Sequence, residues 1–265
     1  TLRVLVYLAG VAAITILDVP SKFIPVVFTL AEILLVLILV PYFYWILPFR
    51  TELNPNNWYM RHVKFARKAF VSGFLADVNP RIDILVLGFF TTDAVVGIYS
   101  FASMIAEGVA QIPIVIQNNL NPILTRISIK RNYNELHRLI VNSKRLLVPT
   151  MAVISLLVMI AYPLAVEYVA AQEVFYQSWP ILGILLAGIV ITSGYAPFSM
   201  YLNQAGHPAY YSLFLLSVVV INVVINILLV PIIGMYGAAI GTCIAFIGSI
   251  YLLKLFVRQV ECINI

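Results

Sequence analysis

Eight apolar segments follow one another along the chain, each close to the length that crosses a lipid bilayer. A transmembrane α-helix needs about 20 mostly apolar residues. The segments cover residues 2–17, 23–49, 69–90, 94–121, 146–166, 179–202, 209–230 and 235–257. This pattern predicts an all-α fold, a polytopic membrane helix bundle of about eight transmembrane helices.

The composition argues against a soluble protein. Of the 265 residues, 62% are hydrophobic and only 10% are charged, whereas soluble domains carry about 25% charged residues. Disorder, collagen and coiled coils are also excluded, because they require polar, Gly-Pro-rich or charged sequences.

Lysine and arginine residues are unequally distributed between the loops, and this predicts the orientation of the spans. Short loops rich in these residues stay on the cytoplasmic side of the membrane. Fourteen of the 16 basic residues fall on one side of an eight-span alternation: Arg3, Arg50, Arg61, Lys64, Arg67, Lys68, Arg126, Lys130, Arg131, Arg138, Lys144, Arg145, Lys254 and Arg258. Both ends of the chain are therefore expected to be cytoplasmic. The net charge of +5 reflects this topology, so we expect no nucleic-acid partner.

Three charged residues interrupt the third segment, where hydrocarbon would surround them. Asp77, Arg81 and Asp83 flank Pro80, and a charged side chain at the centre of a bilayer costs at least about 2.5–3.5 kcal/mol. Asp77 and Arg81 are four residues apart, so a helix would place them on one face as a neutralising pair. Pro80 removes a backbone donor and leaves carbonyl groups that need water or other partners.

Four further polar residues lie within predicted spans: Glu32, Glu107, Asn222 and Asn226. The charged residues fit either an internal ion-pair network that fixes helix packing, or a hydrophilic cavity. In such a cavity Arg81 would attract an anionic substrate, while a carboxylate titrates or holds a cation. Glu32 stands alone in its segment and is either a structural acid or part of this cavity. Asn222 and Asn226, four residues apart, favour a hydrogen bond to a neighbouring helix over substrate binding.

The sequence carries none of the motifs that mark common enzyme chemistry. It contains no phosphate-binding loop of the Gly-x-x-x-x-Gly-Lys-Ser/Thr type, no His-Glu-x-x-His and no Gly-x-Ser-x-Gly. Its two cysteines, Cys243 and Cys262, lack metal-ligand spacing. We therefore expect no catalytic residues, no cofactor and no metal site, and a protein that is not an enzyme.

Two longer stretches carry a recognisable pattern. The first, residues 81–100, joins Arg-Ile-Asp to Val-Gly-Ile-Tyr-Ser through an apolar run and a short acidic loop. The second has Leu-Asn-Gln-Ala-Gly-His-Pro at residues 202–208, an Asn-Val-Val-Ile-Asn run from residue 222, and Ile-Gly-Met-Tyr-Gly-Ala-Ala-Ile-Gly at residues 233–241. In these motifs the chain resembles polysaccharide flippases of the multidrug/oligosaccharidyl-lipid/polysaccharide (MOP) exporter superfamily.

The resemblance implies an architecture of two six-helix lobes that face each other across a central cavity. Residues 69–265 would form a complete C-terminal lobe, residues 50–68 the cytoplasmic linker between the lobes, and residues 1–49 the last two helices of the N-terminal lobe. The chain starts at Thr1 and its first apolar segment is short. We therefore expect it to be about half of a transporter.

The resemblance also implies a function in the cytoplasmic (inner) membrane of a bacterium or archaeon. A flippase of this kind moves an undecaprenyl-pyrophosphate-linked oligosaccharide to the outer leaflet by alternating access, for polysaccharide or O-antigen export. Arg81 would bind a phosphate or an acidic sugar. Asp77, Asp83 and Glu107 would balance charge or couple transport to H⁺ or Na⁺. Membrane lipids and a polysaccharide polymerase machinery are the other expected partners.

Three other functions remain open on the sequence alone. One is an ion-coupled drug or cation antiporter of the same superfamily. Another is a membrane-embedded polysaccharide polymerase or ligase, which is disfavoured because such enzymes usually need a large outer loop. The loops expected on that side, residues 17–22, 90–93, 167–176 and 230–234, are all short. The last is a scaffold subunit, for which charges at the middle of the membrane have no use.

Overall fold

The computed structural model describes residues 2–16, 24–46, 59–60, 62–63, 70, 73–170 and 172–261. Within these ranges the chain is helical apart from short turns and contains no β-strand. It divides into two compact units, Thr1–Arg61 and His62–Ile265. Most of the expected linker, residues 50–68, lies outside the described residues, so the expected domain boundaries stay predictions.

The first unit consists of two helices that pack against each other, α1 (Leu2–Ile16) and α2 (Ile24–Ile46). Tyr7 on α1 donates a hydrogen bond to Glu32 on α2. The Tyr7 ring also lies edge-on to Phe28, with 4.6 Å between the ring centroids. A half-buried carboxylate within an apolar helix thus has a hydrogen-bond partner on the neighbouring helix.

The second unit holds most of the described chain. Its first helical segment described without interruption covers residues 73–78 and is followed by a 3₁₀ turn (Asn79–Arg81). The helices that follow are α3 (Ile82–Phe90), α4 (Asp93–Lys130), α5 (Tyr133–Ala165), α6 (Trp179–Thr192), α7 (Tyr201–Gln204), α8 (Pro208–Ile233) and α9 (Met235–Glu261).

Six helical segments among the described residues are long and apolar enough to cross a membrane. They are Pro25–Ile46, Asp93–Lys130, Tyr133–Tyr168, Glu173–Thr192, Pro208–Ile233 and Met235–Val260. The expectation of about eight spans is therefore not confirmed. Helix α1 has 15 residues and rises about 22 Å, less than the roughly 30 Å of a hydrocarbon core. The third predicted span is interrupted at Pro80, where the 3₁₀ turn separates two shorter helical pieces.

Two helices have bounds that differ from the predicted spans. Helix α5 begins at Tyr133, well before the fifth predicted span at residue 146. Helix α6 ends at Thr192, well before the predicted end at residue 202. A Cβ added at Gly194 would lie 2.7 Å from Cγ of Lys144, so the chain turns there in close contact with α5. Pro197 then lies in a new 3₁₀ turn.

Two buried apolar clusters stabilise the second unit, one towards each end of the bundle. The first includes Leu87, Tyr99, Met151, Leu182 and Ala238. The second includes Leu124, Ile140, Phe198, Phe214 and Val257. Along α4 the buried members of the first cluster end at Val109, and those of the second begin at Leu124. The residues between these two positions are buried members of neither cluster.

Large apolar side chains cover the outer faces of the long helices. Leu156, Leu157 and Ile160 on α5 are exposed, as are Val220 and Val224 on α8. In water such surface is unfavourable by about 25 cal/mol for each Å², whereas lipid chains accommodate it. These faces, together with the six long apolar helices, indicate a multi-pass membrane protein.

Candidate functional site

A cavity of about 510 Å³ lies within the second unit, and its largely apolar wall carries several charged side chains. Its wall is built from residues 76–83 and from α4, α6, α8 and α9, with the turn after α6. The ionisable and amide side chains in this wall are Asp77, Asn79, Arg81, Asp83, Glu107, Gln111 and Tyr195. Four of the seven site residues expected from the sequence, Asp77, Arg81, Asp83 and Glu107, therefore meet in one place.

Arg81 forms an ion pair with Glu107 across the cavity wall. Its Nη1 donates to Oε1 of Glu107 at 3.2 Å, and the two side chains are 59% and 35% exposed. Within the described part of the chain, no other acceptor bonds the remaining N–H groups of the guanidinium. An arginine carries five such donors, so most of the donors of Arg81 are available to solvent or to a ligand.

Asp77 does not pair with Arg81, contrary to the expectation from their spacing. The 3₁₀ turn at Asn79–Arg81 lies between them, so the regular four-residue spacing of an α-helix does not apply. Asp77 is exposed and lines the cavity. Among the described residues Asp77 makes no ion pair. Arg81, its expected partner, pairs with Glu107 instead.

Asp83 is a buried carboxylate held by hydrogen bonds alone. It is 4% exposed and accepts hydrogen bonds from the Tyr99 hydroxyl, from Thr242 Oγ1 at 3.1 Å and from the Ile84 amide at 2.8 Å. No lysine or arginine within the described ranges forms a salt bridge with it. Buried carboxylates are normally paired with a cation or neutralised by a proton, so Asp83 is placed to take up a proton or a small cation.

Asn222 and Asn226 lie outside the cavity wall, on the buried face of α8. They are 2% and 0% exposed. Nδ2 of Asn222 donates to the Asn79 backbone carbonyl oxygen at 3.5 Å, next to Pro80. Nδ2 of Asn226 donates to the Asn222 carbonyl oxygen at 2.8 Å. This geometry favours the packing interpretation of the two asparagines.

Glu32 is not part of this cavity's wall. It belongs to the first unit, where Tyr7 donates a hydrogen bond to it. Its expected role in the cavity stays a prediction.

Tyr195 is a cavity residue that the sequence reasoning missed. It lies in the turn after α6, and the ammonium groups of Lys144 and Lys254 approach its ring. Burial raises the pKa of the Tyr195 phenol, but the interactions with the two lysines outweigh it and leave that pKa below its usual value.

The partners of Asp83 were also missed. Tyr99 belongs to the Val-Gly-Ile-Tyr-Ser motif, and Thr242 follows the Gly-Ala-Ala-Ile-Gly run. The sequence shows a hydroxyl in each of these two segments, but it does not show that both hydroxyls reach Asp83.

Comparison of the chain with protein-family models, with curated proteins and with solved structures finds no match.

Proposed function

We propose that the chain forms part of a flippase that moves an undecaprenyl-pyrophosphate-linked oligosaccharide across the cytoplasmic membrane by alternating access. The observation that carries the proposal is a cavity of about 510 Å³ inside a bundle of membrane helices, with carboxylates and an arginine that makes one hydrogen bond in its wall. This volume falls in the range of about 300–1,000 Å³ that is typical of small-molecule sites. A lipid-linked sugar needs such a site, because its polar head must avoid hydrocarbon while its tail stays in the bilayer.

Arg81 is the proposed binding group for the anionic head. Its single hydrogen bond to Glu107 at 3.2 Å leaves donors available, and arginine binds phosphate oxygens with two parallel hydrogen bonds. A bound phosphate would compete with Glu107 for the guanidinium. The ion pair therefore holds Arg81 in a defined position before substrate binds. When substrate binds, its phosphate replaces Glu107 as the partner of Arg81.

Asp83 is the proposed coupling group. It has three hydrogen-bond donors and no cationic side chain beside it, and α3 and α9 both contribute to its surroundings. Uptake of H⁺ or Na⁺ at this carboxylate would change the charge between these helices. A ligand shifts a conformational equilibrium only when it binds one state more tightly than the other, and a buried charge provides that difference.

A transport assay tests the role of Arg81. The full-length protein is reconstituted into liposomes with a fluorescent lipid-linked oligosaccharide, and dithionite quenching reports the fraction in the outer leaflet. Arg81→Ala is expected to lower the flipping rate about tenfold or more, because a hydrogen bond to a charged group is worth roughly 1.5–3 kcal/mol.

Arg126 provides a matched control for this experiment. It also pairs with a glutamate, Glu135, at 3.8 Å, but it is not part of the cavity wall. Arg126→Ala should flip at the wild-type rate. If Arg81→Ala also flips at that rate with normal protein levels, the proposed function is wrong.

A cation antiporter of the same superfamily is the second candidate, and one observation favours it. The cavity wall contains the carboxylates Asp77, Asp83 and Glu107 and only one arginine, a balance that suits a cationic substrate. Ethidium efflux that is lost in Glu107→Gln and retained in Arg81→Ala would support the antiporter. Accumulation of lipid-linked oligosaccharide in a deletion strain would support the flippase.

A further inference from the structure

Two lysines from different helices approach the ring of Tyr195, a residue of the cavity wall. Nζ of Lys144 on α5 lies 4.1 Å from the centroid of the Tyr195 ring, and Nζ of Lys254 on α9 lies 4.8 Å from it. A Cβ added at Gly194 would lie 3.0 Å from Cα of Lys144, so the backbone itself brings Tyr195 to α5. We call Lys144 and Lys254 the lysine pair.

The lysine pair has no acidic partner. Among the described residues, neither lysine forms a salt bridge, whereas Arg81 and Arg126 each have a glutamate. Two ammonium groups that approach one ring carry like charges and repel each other. Both lysines are also partly buried, so water screens their charges less than it does at an open surface.

The lysine pair lies next to the cavity that contains Arg81, although neither lysine is part of its wall. Tyr195, whose ring both lysines approach, lines that cavity, and so does Leu253, the neighbour of Lys254 in sequence. The basic loops predict that Lys144 and Lys254 lie on the cytoplasmic side of the membrane. The pair therefore lies towards the end of the cavity from which a substrate made in the cytoplasm would enter.

We infer that the lysine pair binds a phosphate-containing head group at the cytoplasmic end of the cavity. A phosphate carries several strong acceptor oxygens, and each ammonium group offers three donors. The ligand would replace the missing acidic partner and relieve the repulsion between the lysines. A polyprenyl diphosphate and an anionic phospholipid share this chemistry; only the first rests on the proposed flippase function.

Binding of a soluble probe tests the site directly. The full-length protein is placed in phosphatidylcholine nanodiscs, and its affinity for farnesyl diphosphate is measured by calorimetry. Lys144→Gln and Lys254→Gln are each expected to raise the dissociation constant about tenfold, because each removes charge-assisted hydrogen bonds. Unchanged binding in both variants would overturn the inference.

Neighbouring residues supply the controls. Arg145 and Arg258 are exposed and carry the same charge close to the two lysines in sequence. Arg145→Gln and Arg258→Gln should bind farnesyl diphosphate as the wild type does, and an equal loss in these variants would show a diffuse charge effect and overturn the site. Lys144→Arg and Lys254→Arg keep the positive charge, and their retained binding would show that the loss in the glutamine variants is not misfolding.

A second bilayer identifies the source of the phosphate. In nanodiscs with phosphatidylglycerol, competition that weakens farnesyl diphosphate binding to the wild type but not to Lys144→Gln would assign the site to the phospholipid. Equal affinity in both bilayers would assign it to the polyprenyl diphosphate.

The flipping assay separates this inference from the proposed function. If farnesyl diphosphate binding depends on the two lysines but the protein flips no lipid-linked oligosaccharide, the site is supported and the proposed function is rejected. Wild-type flipping in the Lys144→Gln, Lys254→Gln double variant would retain the function and reject polyprenyl diphosphate as the ligand of the site.

Discussion

Arg81 and Asp83 are separated by one residue, yet they lie in opposite environments. The side chain of Arg81 is 59% exposed in the cavity, and Asp83 is 4% exposed between three hydrogen-bond donors. Side chains two residues apart do not face each other on a helix, so the two residues point in different directions. Two charges that form one cluster in the sequence therefore have the separate surroundings that the two roles proposed for them require.

Asp83→Asn should uncouple transport from an ion gradient. The amide cannot take up a proton or neutralise a cation, although it keeps one oxygen for Tyr99, Thr242 or Ile84. In liposomes with an imposed H⁺ or Na⁺ gradient, the wild type should flip faster than without a gradient. Asp83→Asn should keep the gradient-free rate, and the gradient that accelerates the wild type identifies the ion.

Asp93→Asn is the control for this experiment. Asp93 is exposed at the start of α4 and lies outside the cavity wall, so its variant should respond to the gradient as the wild type does. Full acceleration of Asp83→Asn would exclude Asp83 as the coupling group.

The sequence alone could locate the charged residues but not their partners. Arg81, Asp83 and Glu107 stood out because hydrocarbon excludes charge, and this holds whatever the fold. The contact between Asp83 and Thr242 joins residues 159 positions apart, and the contact of Lys144 with Tyr195 depends on a turn at Gly194. Such pairs follow from tertiary packing, which local periodicity does not encode.

Helices α8 and α9 pack closely where a glycine faces an asparagine. A Cβ added at Gly241 would lie 3.1 Å from Nδ2 of Asn226 and 3.2 Å from its Cγ. Asn226 is completely buried and bonded to Asn222, so it has little room to move. The small-residue run Gly237–Gly241 contains this contact.

Gly241→Ala is expected to destabilise this pair of helices by about 1–3 kcal/mol, because the added methyl group overpacks a buried contact. Thermal unfolding of the purified protein in detergent, followed by circular dichroism, measures the effect. Gly248→Ala on the same helix is the control, since a Cβ there meets nothing within 4 Å. It should unfold at the wild-type temperature or slightly above it, because alanine favours helix over glycine. Equal midpoints for Gly241→Ala and the wild type would contradict the packing argument.

Helix boundaries were predictable where a local signal ends the helix. The turn between α8 and α9 follows Pro231 and uses Gly234 at a φ of +56°, a conformation that glycine adopts without strain. The end of α6 at Thr192 was not predictable from hydropathy, because the apolar composition continues through Ala196, Phe198 and Leu202. There the close contact of Gly194 with α5 decides where the chain turns.

The whole molecule should cross the membrane with its basic loops in the cytoplasm. Helix α4 has 38 residues and extends about 57 Å, so Thr92 and Asn134 lie near opposite ends of it. Single cysteines at Thr92, Asn134 and Gln259, with Cys243 and Cys262 replaced by serine, can be labelled with a membrane-impermeant thiol reagent.

Asn134→Cys and Gln259→Cys should react only from the cytoplasmic face, and Thr92→Cys only from the opposite face. Intact cells and inside-out vesicles distinguish the two faces. Labelling of Thr92→Cys and Asn134→Cys from the same side would contradict both the orientation and the membrane-spanning assignment of α4.

The position of the cavity between two separate apolar clusters has an evolutionary consequence. Apolar members of both clusters, such as Ala106 and Phe214, line the cavity, and its polar groups come from residues 76–83 and from several helices. Gln111 and Ser249 line the cavity but belong to neither cluster, so another polar residue at either position changes the wall and leaves the clusters as they are. On the proposed function, single mutations at such positions alter which head group the cavity accepts, while the helices that hold the site remain intact.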